Sequence, residues 1–149
     1  LVGQAIGAGQ LDRAEAVGHR SVQLLSLIMA GVVGVTFLLA HQIAALFIAD
    51  PQVVPLGATV LRWFAVAQFF SSVSICTQGA LTGAGDTRPI FRYTVVTQWG
   101  LLLVLTIILM FGFEWVPDGP LLAWTLAPLV QLVLMQRLFR SGRWKTLRV

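Results

Sequence analysis

Apolar positions along this chain form four unbroken blocks, at about 22–47, 56–79, 93–113 and 120–139, and charged residues gather in the stretches between them. Apolar side chains fall on every side of each block. The pattern therefore predicts helices rather than barrel strands, whose two faces alternate with a period of two. Each block reaches the ~20 residues that a helix needs to cross a hydrocarbon layer of ~30 Å. The predicted fold is all-α, a polytopic bundle of four transmembrane spans. A polar side chain left inside such a span is costly and points to function.

The punctuation between blocks agrees. Residues 1–9 read as a helix end entering a glycine-rich turn, and 10–20 as a short polar connection, helical in character, that carries Asp12, Arg13, Glu15 and Arg20. Asp50 and Pro51 stop the first span, because proline offers no backbone N–H. Pro55 suits the first turn of the second. Gly83, Gly85, Asp86 and Pro89 mark a tight turn before the third, and Pro117 to Pro120 turn the chain into the fourth. A start on Leu1, with no Met and no signal core, suggests the C-terminal part of something longer.

Composition sharpens the membrane reading: 57% of residues are hydrophobic and 11% charged, against ~25% charged in a soluble domain. The net charge of +4 first suggests nucleic acid, but its placement argues otherwise. Arg13 and Arg20 precede the first span, Arg88 and Arg92 separate the second and third, and Arg137, Arg140, Arg143, Lys145 and Arg148 follow or end the fourth. The intervening loops hold Asp50, Glu114 and Asp118 without Lys or Arg. By the positive-inside rule the basic ends, including a tail at 140–149, face the cytoplasm, as in a bacterial inner membrane. No nucleic-acid partner is expected; the partner is the lipid bilayer. Cys76 is alone, and His19 and His41 lack ligands at metal spacing, so neither a disulfide, a metal nor another cofactor is predicted.

On a helical projection Gln68, Ser71, Ser72, Gln78 and Thr82 of the second span fall within about a third of the circumference, with Gly79 among them. Two readings fit: a stripe lining an aqueous cavity, or close helix packing through small and amide side chains. Two bulky glutamines favour the cavity. In the fourth span Trp124, Pro128, Gln131 and Met135 share a face, and Pro128 removes the donor for the Trp124 carbonyl, so a bend is expected there. Thr94, Thr97 and Gln98 make a smaller polar face, read as packing. Arg62 lies well inside the second span and points away from Gln68; its long stem is expected to snorkel outward. Trp63, Trp115, Trp124 and Trp144 stand at span ends as an interfacial belt, and Trp99 lies deeper. No Asp or Glu lies within 56–85, 89–113 or 120–149. The isolated GxG pairs at Gly7 and Gly83 follow no strand, and no catalytic set converges, so the chain does not read as an enzyme.

Two stretches carry a specific resemblance: LVGQAIGAGQLDRAE at 1–15, with Gly3, Gln4, Gly7 and Gly9, and QGALTGAGDTRP at 78–89, with Gly79, Gly83, Gly85, Asp86 and Pro89. With LFIADP at 46–51 between them, their order and spacing resemble the signatures of the multidrug and toxic compound extrusion (MATE) family over nearly the whole chain. The resemblance implies helices nine to twelve, plus the end of helix eight, of a twelve-helix transporter built from two six-helix halves. It further implies export of cationic and amphipathic molecules in exchange for Na⁺ or H⁺ by alternating access, the fragment alone being inactive. Some members place an acidic residue in the tenth helix; block 56–79 has none, which leaves the coupling ion to carboxylates in the absent first or seventh helix. The missing N-terminal helices become partners, Gln68, Ser71, Ser72, Gln78, Trp124 and Gln131 the cavity candidates, and the loop glycines with Pro89 and Pro128 the hinges. A lipid-linked oligosaccharide flippase of the same superfamily would share the fold but should hold a cationic cluster in its cavity. A structural subunit or membrane-embedded enzyme is the alternative of another class.

Overall fold

The computed structural model describes residues 2–112 and 118–146. Phe113, Glu114, Trp115, Pro117 and the end of the tail, on which parts of the sequence reading fall, lie outside the described residues. A short helix α1 (Val2–Gly7) precedes four long ones: α2 (Leu11–Phe47), α3 (Val54–Gly83), α4 (Thr87–Gly112) and α5 (Asp118–Arg140). A 3₁₀ turn, Arg143–Thr146, closes the described chain. The long helices are 37, 30, 26 and 23 residues and each is apolar enough to cross a membrane. The fold is an all-α helical bundle.

Each helix overruns its apolar block, because lipid contact sets the block whereas backbone hydrogen bonding continues until a breaker. The stretch 10–20 is thus no separate connection: nothing between Leu11 and Val22 interrupts the ladder, and it forms the first turns of α2. Three ends use a left-handed glycine, Gly9, Gly85 and Gly142, with φ of 70°, 83° and 68°. After α1 the Gly9 N–H bonds to the Ile6 carbonyl and the Gln10 N–H to that of Ala5; after α3 Gly85 bonds to Thr82 and Asp86 to Leu81 in the same way. These paired bonds satisfy the last carbonyls of each helix. Between α2 and α3, Ile48 turns extended and the Gln52 N–H donates to Asp50 Oδ1 at 2.9 Å, with Pro55 in the first turn of α3.

The bundle runs α2, α3, α5, α4 in space: α3 packs on α2 and α5, and α4 packs chiefly on α5. Its interior is built mainly from small residues at one end and from larger ones at the other. Ala40 and Ala44 of α2 meet Val54 and Ala58 of α3 near one end. Near the other, Ala5, Ala14, Leu81, Ala84, Met135, Leu138, Phe139 and Trp144 form a cluster that joins α1 and the ends of all the long helices. Many other large apolar side chains point outward, among them Leu27, Leu38 and Phe47 of α2 (73%, 80% and 85% exposed) and Trp99 and Phe111 of α4 (69% and 74%). That distribution suits a bilayer or further helices and not water.

The basic segments Arg13 and Arg20, Arg88 and Arg92, and Arg137 to Arg143 gather at the end held by the larger cluster, because Ala14, Ala84 and Trp144 of the same segments meet there. One expectation fails: Trp144 is no belt residue. It is 1% exposed, stacks on Phe139 with ring centroids 5.4 Å apart, and donates its Nε1–H to the Phe139 carbonyl at 2.9 Å. Gly142 reverses the chain and lays the indole on the bundle.

Candidate functional site: a polar groove between α3, α4 and α5

The polar stripe of α3 has two fates. Gln68 and Ser71 open into a groove of about 120 Å³ whose walls also include Gln98 and Leu102 of α4 and Trp124 and Pro128 of α5. Ser72 lies behind Gln68, which donates from Nε2 to Ser72 Oγ at 3.2 Å. Gln78 lies apart. Ten residues further along α3, or about 15 Å, it donates to Ser74 Oγ at 3.3 Å. Thr77, next to it, accepts from Gln136 Nε2 at 3.3 Å and so ties α3 to α5. Trp124 is half exposed, its ring centroid 5.5 Å from that of Phe64 on α3.

Gln131 sits behind the groove rather than along its walls, only 6% exposed and tied to α4 on both sides of its amide. Gln98 Nε2 donates to Gln131 Oε1 at 3.1 Å, and Gln131 Nε2 donates to Thr94 Oγ1 at 3.3 Å. Buried amides must find partners, and these find each other. Gln98 is the residue that sequence reasoning assigned to packing alone. It belongs to a π-helical stretch, Val96–Leu102, whose wider turn moves side chains off the faces that a 100° projection assigns. Its one signal in sequence was an amide in mid-span.

The groove walls carry amides, a hydroxyl, an indole and a proline, with no acid and no base. Among the described residues no group of His, Cys, Asp and Glu could hold a metal ion. Such a surface can accept and donate hydrogen bonds and stack on flat molecules; it has no nucleophile poised beside a base.

The turn residues divide by role. A Cβ on Gly3 would lie 2.8 Å from the Gly83 carbonyl oxygen, so these glycines let α1 and α3 touch backbone to backbone. Gly9 and Gly85 supply the left-handed turns. Gly7 and Gly79 have open space around them, and Gln4 is exposed beside the α1–α2 junction. Pro89 lies in the first turn of α4, and Pro128 is buried inside an unbroken α5. Asp86 sits in the turn, but its side chain makes no cap bond at α4, and its buried Oδ2 has no partner among the described residues.

Comparison with known proteins points to one family. A probable multidrug resistance protein NorM of Pasteurella multocida is 30% identical over 146 residues, covering 93% of this chain and 32% of the relative. The multidrug resistance protein PmpM of Pseudomonas aeruginosa is 33% identical over 104 residues, 67% of this chain and 21% of its own length. Multidrug resistance protein MdtK of Yersinia pseudotuberculosis is 31% identical over 112 residues, 70% and 24% respectively. The chain therefore spans about a third or less of the curated relatives it matches. No solved structure matches it. The MatE family model matches residues 1–108, and with four membrane-length helices in a continuous bundle the chain belongs to the MatE family, as an integral, multi-pass membrane protein.

Proposed function

We infer that the full-length protein is a secondary active exporter of amphipathic or cationic small molecules, driven by Na⁺ or H⁺ antiport, and that this chain supplies helices nine to twelve and the end of helix eight. The observation that carries the reading is the likeness, along nearly the whole chain, to relatives named as multidrug resistance proteins. The groove at Gln68, Ser71, Gln98 and Trp124 supports it. At about 120 Å³ it is smaller than the ~300–1,000 Å³ of a drug-sized pocket, so it forms one wall of a cavity completed by the absent helices. Its amides and indole favour flat molecules bearing hydrogen-bond donors, held through interactions loose enough for many cargoes.

Coupling belongs elsewhere, because no carboxylate lines this wall. Alternating access requires the helices to rock, with the glycine turns at Gly9 and Gly85 and the proline of α5 as pivots. By the positive-inside rule the basic end, with the last described turn, faces the cytoplasm of the inner membrane. The test uses the full-length protein in everted membrane vesicles loaded against a cationic fluorescent dye. Ser71→Trp and Gln68→Ala are expected to lower export of the dye at least severalfold at equal protein level, and collapsing the Na⁺ or the H⁺ gradient separately identifies the driving ion. Unchanged export by both variants removes the groove from the transport path.

A further inference from the structure

Arg62 does not simply reach for water. Its Nε lies 3.5 Å from the Phe37 carbonyl oxygen, at the long limit of a hydrogen bond, and its Cζ stands 5.7 Å from the centroid of the Phe37 ring. The terminal guanidinium nitrogens engage no carboxylate among the described residues. Beside them opens a groove of about 310 Å³ between α2 and α3, lined by Phe37, Thr59, Arg62, Trp63 and Val66. Thr59 donates its hydroxyl to the Pro55 carbonyl of its own helix, which leaves the guanidinium as the charged head of an otherwise apolar slot.

Depth fits a lipid phosphate. Arg62 is eight residues into α3, or about 12 Å from its start. A 30-residue helix is about 45 Å long and overhangs a ~30 Å core by about 7 Å at each end. The Arg62 backbone therefore lies about 5 Å inside the boundary, and the guanidinium, held beside Phe37, sits just below headgroup level, within reach of a lipid phosphate drawn down to it. Charge selects the occupant. An apolar helix laid in this slot would bury a cation without a partner, a costly arrangement, whereas a lipid phosphate supplies the counter-charge and its acyl chain covers the apolar walls. Gln68 stands about 120° away around α3, so the slot is separate from the export groove.

We propose that the α2–α3 groove is a binding site for one anionic phospholipid of the leaflet at the N-terminal end of α3, its phosphate held by Arg62 and an acyl chain lying along Phe37, Trp63 and Val66. The test is retention of phosphatidylglycerol over phosphatidylcholine by the full-length protein in mixed nanodiscs, read by native mass spectrometry. Arg62→Gln is expected to reduce the preference about fivefold, the effect of one basic residue near a membrane surface; Arg62→Lys retains most of it. Val66→Trp fills the slot without touching the charge and is expected to lower retention as well, which keeps the test valid should Arg62→Gln fold poorly. Unchanged preference in both Arg62→Gln and Val66→Trp overturns the proposal. So does displacement of the lipid by millimolar inorganic phosphate, which would mark a soluble-anion site, or a cross-link from Thr59→Cys to a helix outside this chain, which would mark a protein-filled slot.

Discussion

At Gly3 a single methyl group has nowhere to go. The Gly83 carbonyl oxygen would lie 2.8 Å from a new Cβ, and backbone cannot swing aside as a side chain does. Gly3→Ala is expected to lower the melting temperature of the full-length protein, whereas Gly7→Ala, with open space around it, should hold or raise it; tryptophan-fluorescence melting in detergent compares them. Gly9→Ala forces a φ of 70° on a residue with a Cβ and should cost about 1–2 kcal/mol. The Gln98–Gln131 amide pair invites a double-mutant cycle: Gln98→Leu or Gln131→Leu alone strands a partner, and the coupling energy is expected near ~0.6–1.7 kcal/mol, the range for hydrogen bonds between membrane helices. At this scale the turn glycines were legible in the sequence, because a helix end followed by Gly has one common solution. Gln98 was legible only as polar, since a π-helical turn shifts the face it occupies. Trp144 was misread because its partner, Phe139, lies across a chain reversal at Gly142 that hydropathy does not report.

Among the helices, α4 and α5 are the irregular pair. Helix α4 contains two π-helical stretches, Val96–Leu102 and Ile108–Gly112, and α5 carries Pro128 facing the first of them across the groove. A wide turn opposite a missing backbone donor is a place where two helices can change shape without breaking apart. Pro128→Ala restores the donor to the Trp124 carbonyl; it is expected to preserve or raise the melting temperature while slowing dye export, and faster or unchanged export would show that no bend at this point is used. The existence of each long helix was readable from hydropathy. Their true ends were not, because Val54 and Gly83 are set by Pro55 and the Gly85 turn and not by the apolar limits 56 and 79.

Seen whole, the bundle turns many of its large apolar side chains outward, buries Leu81, Met135, Phe139 and Trp144 at one end, and brings its arginines to that same end. Reporter fusions at the 48–53 loop and after Arg143 in the full-length protein should therefore report opposite sides of the membrane; the same side for both would contradict the antiparallel course of α3, α4 and α5. That course follows from short connections alone, but the spatial order α2, α3, α5, α4 does not, since it rests on pairings such as Thr77 with Gln136 and Gln98 with Gln131 that no local pattern announces. The stacked indole of Trp144 has a use of its own. With 1% of its surface open it emits from a dry pocket, so single-tryptophan variants turn the chain into its own depth gauge: iodide should leave Trp144 bright, brominated lipid should darken the outward-facing Trp99, and a sudden iodide response at Trp144 would report the closing segment peeling from the bundle before any helix melts.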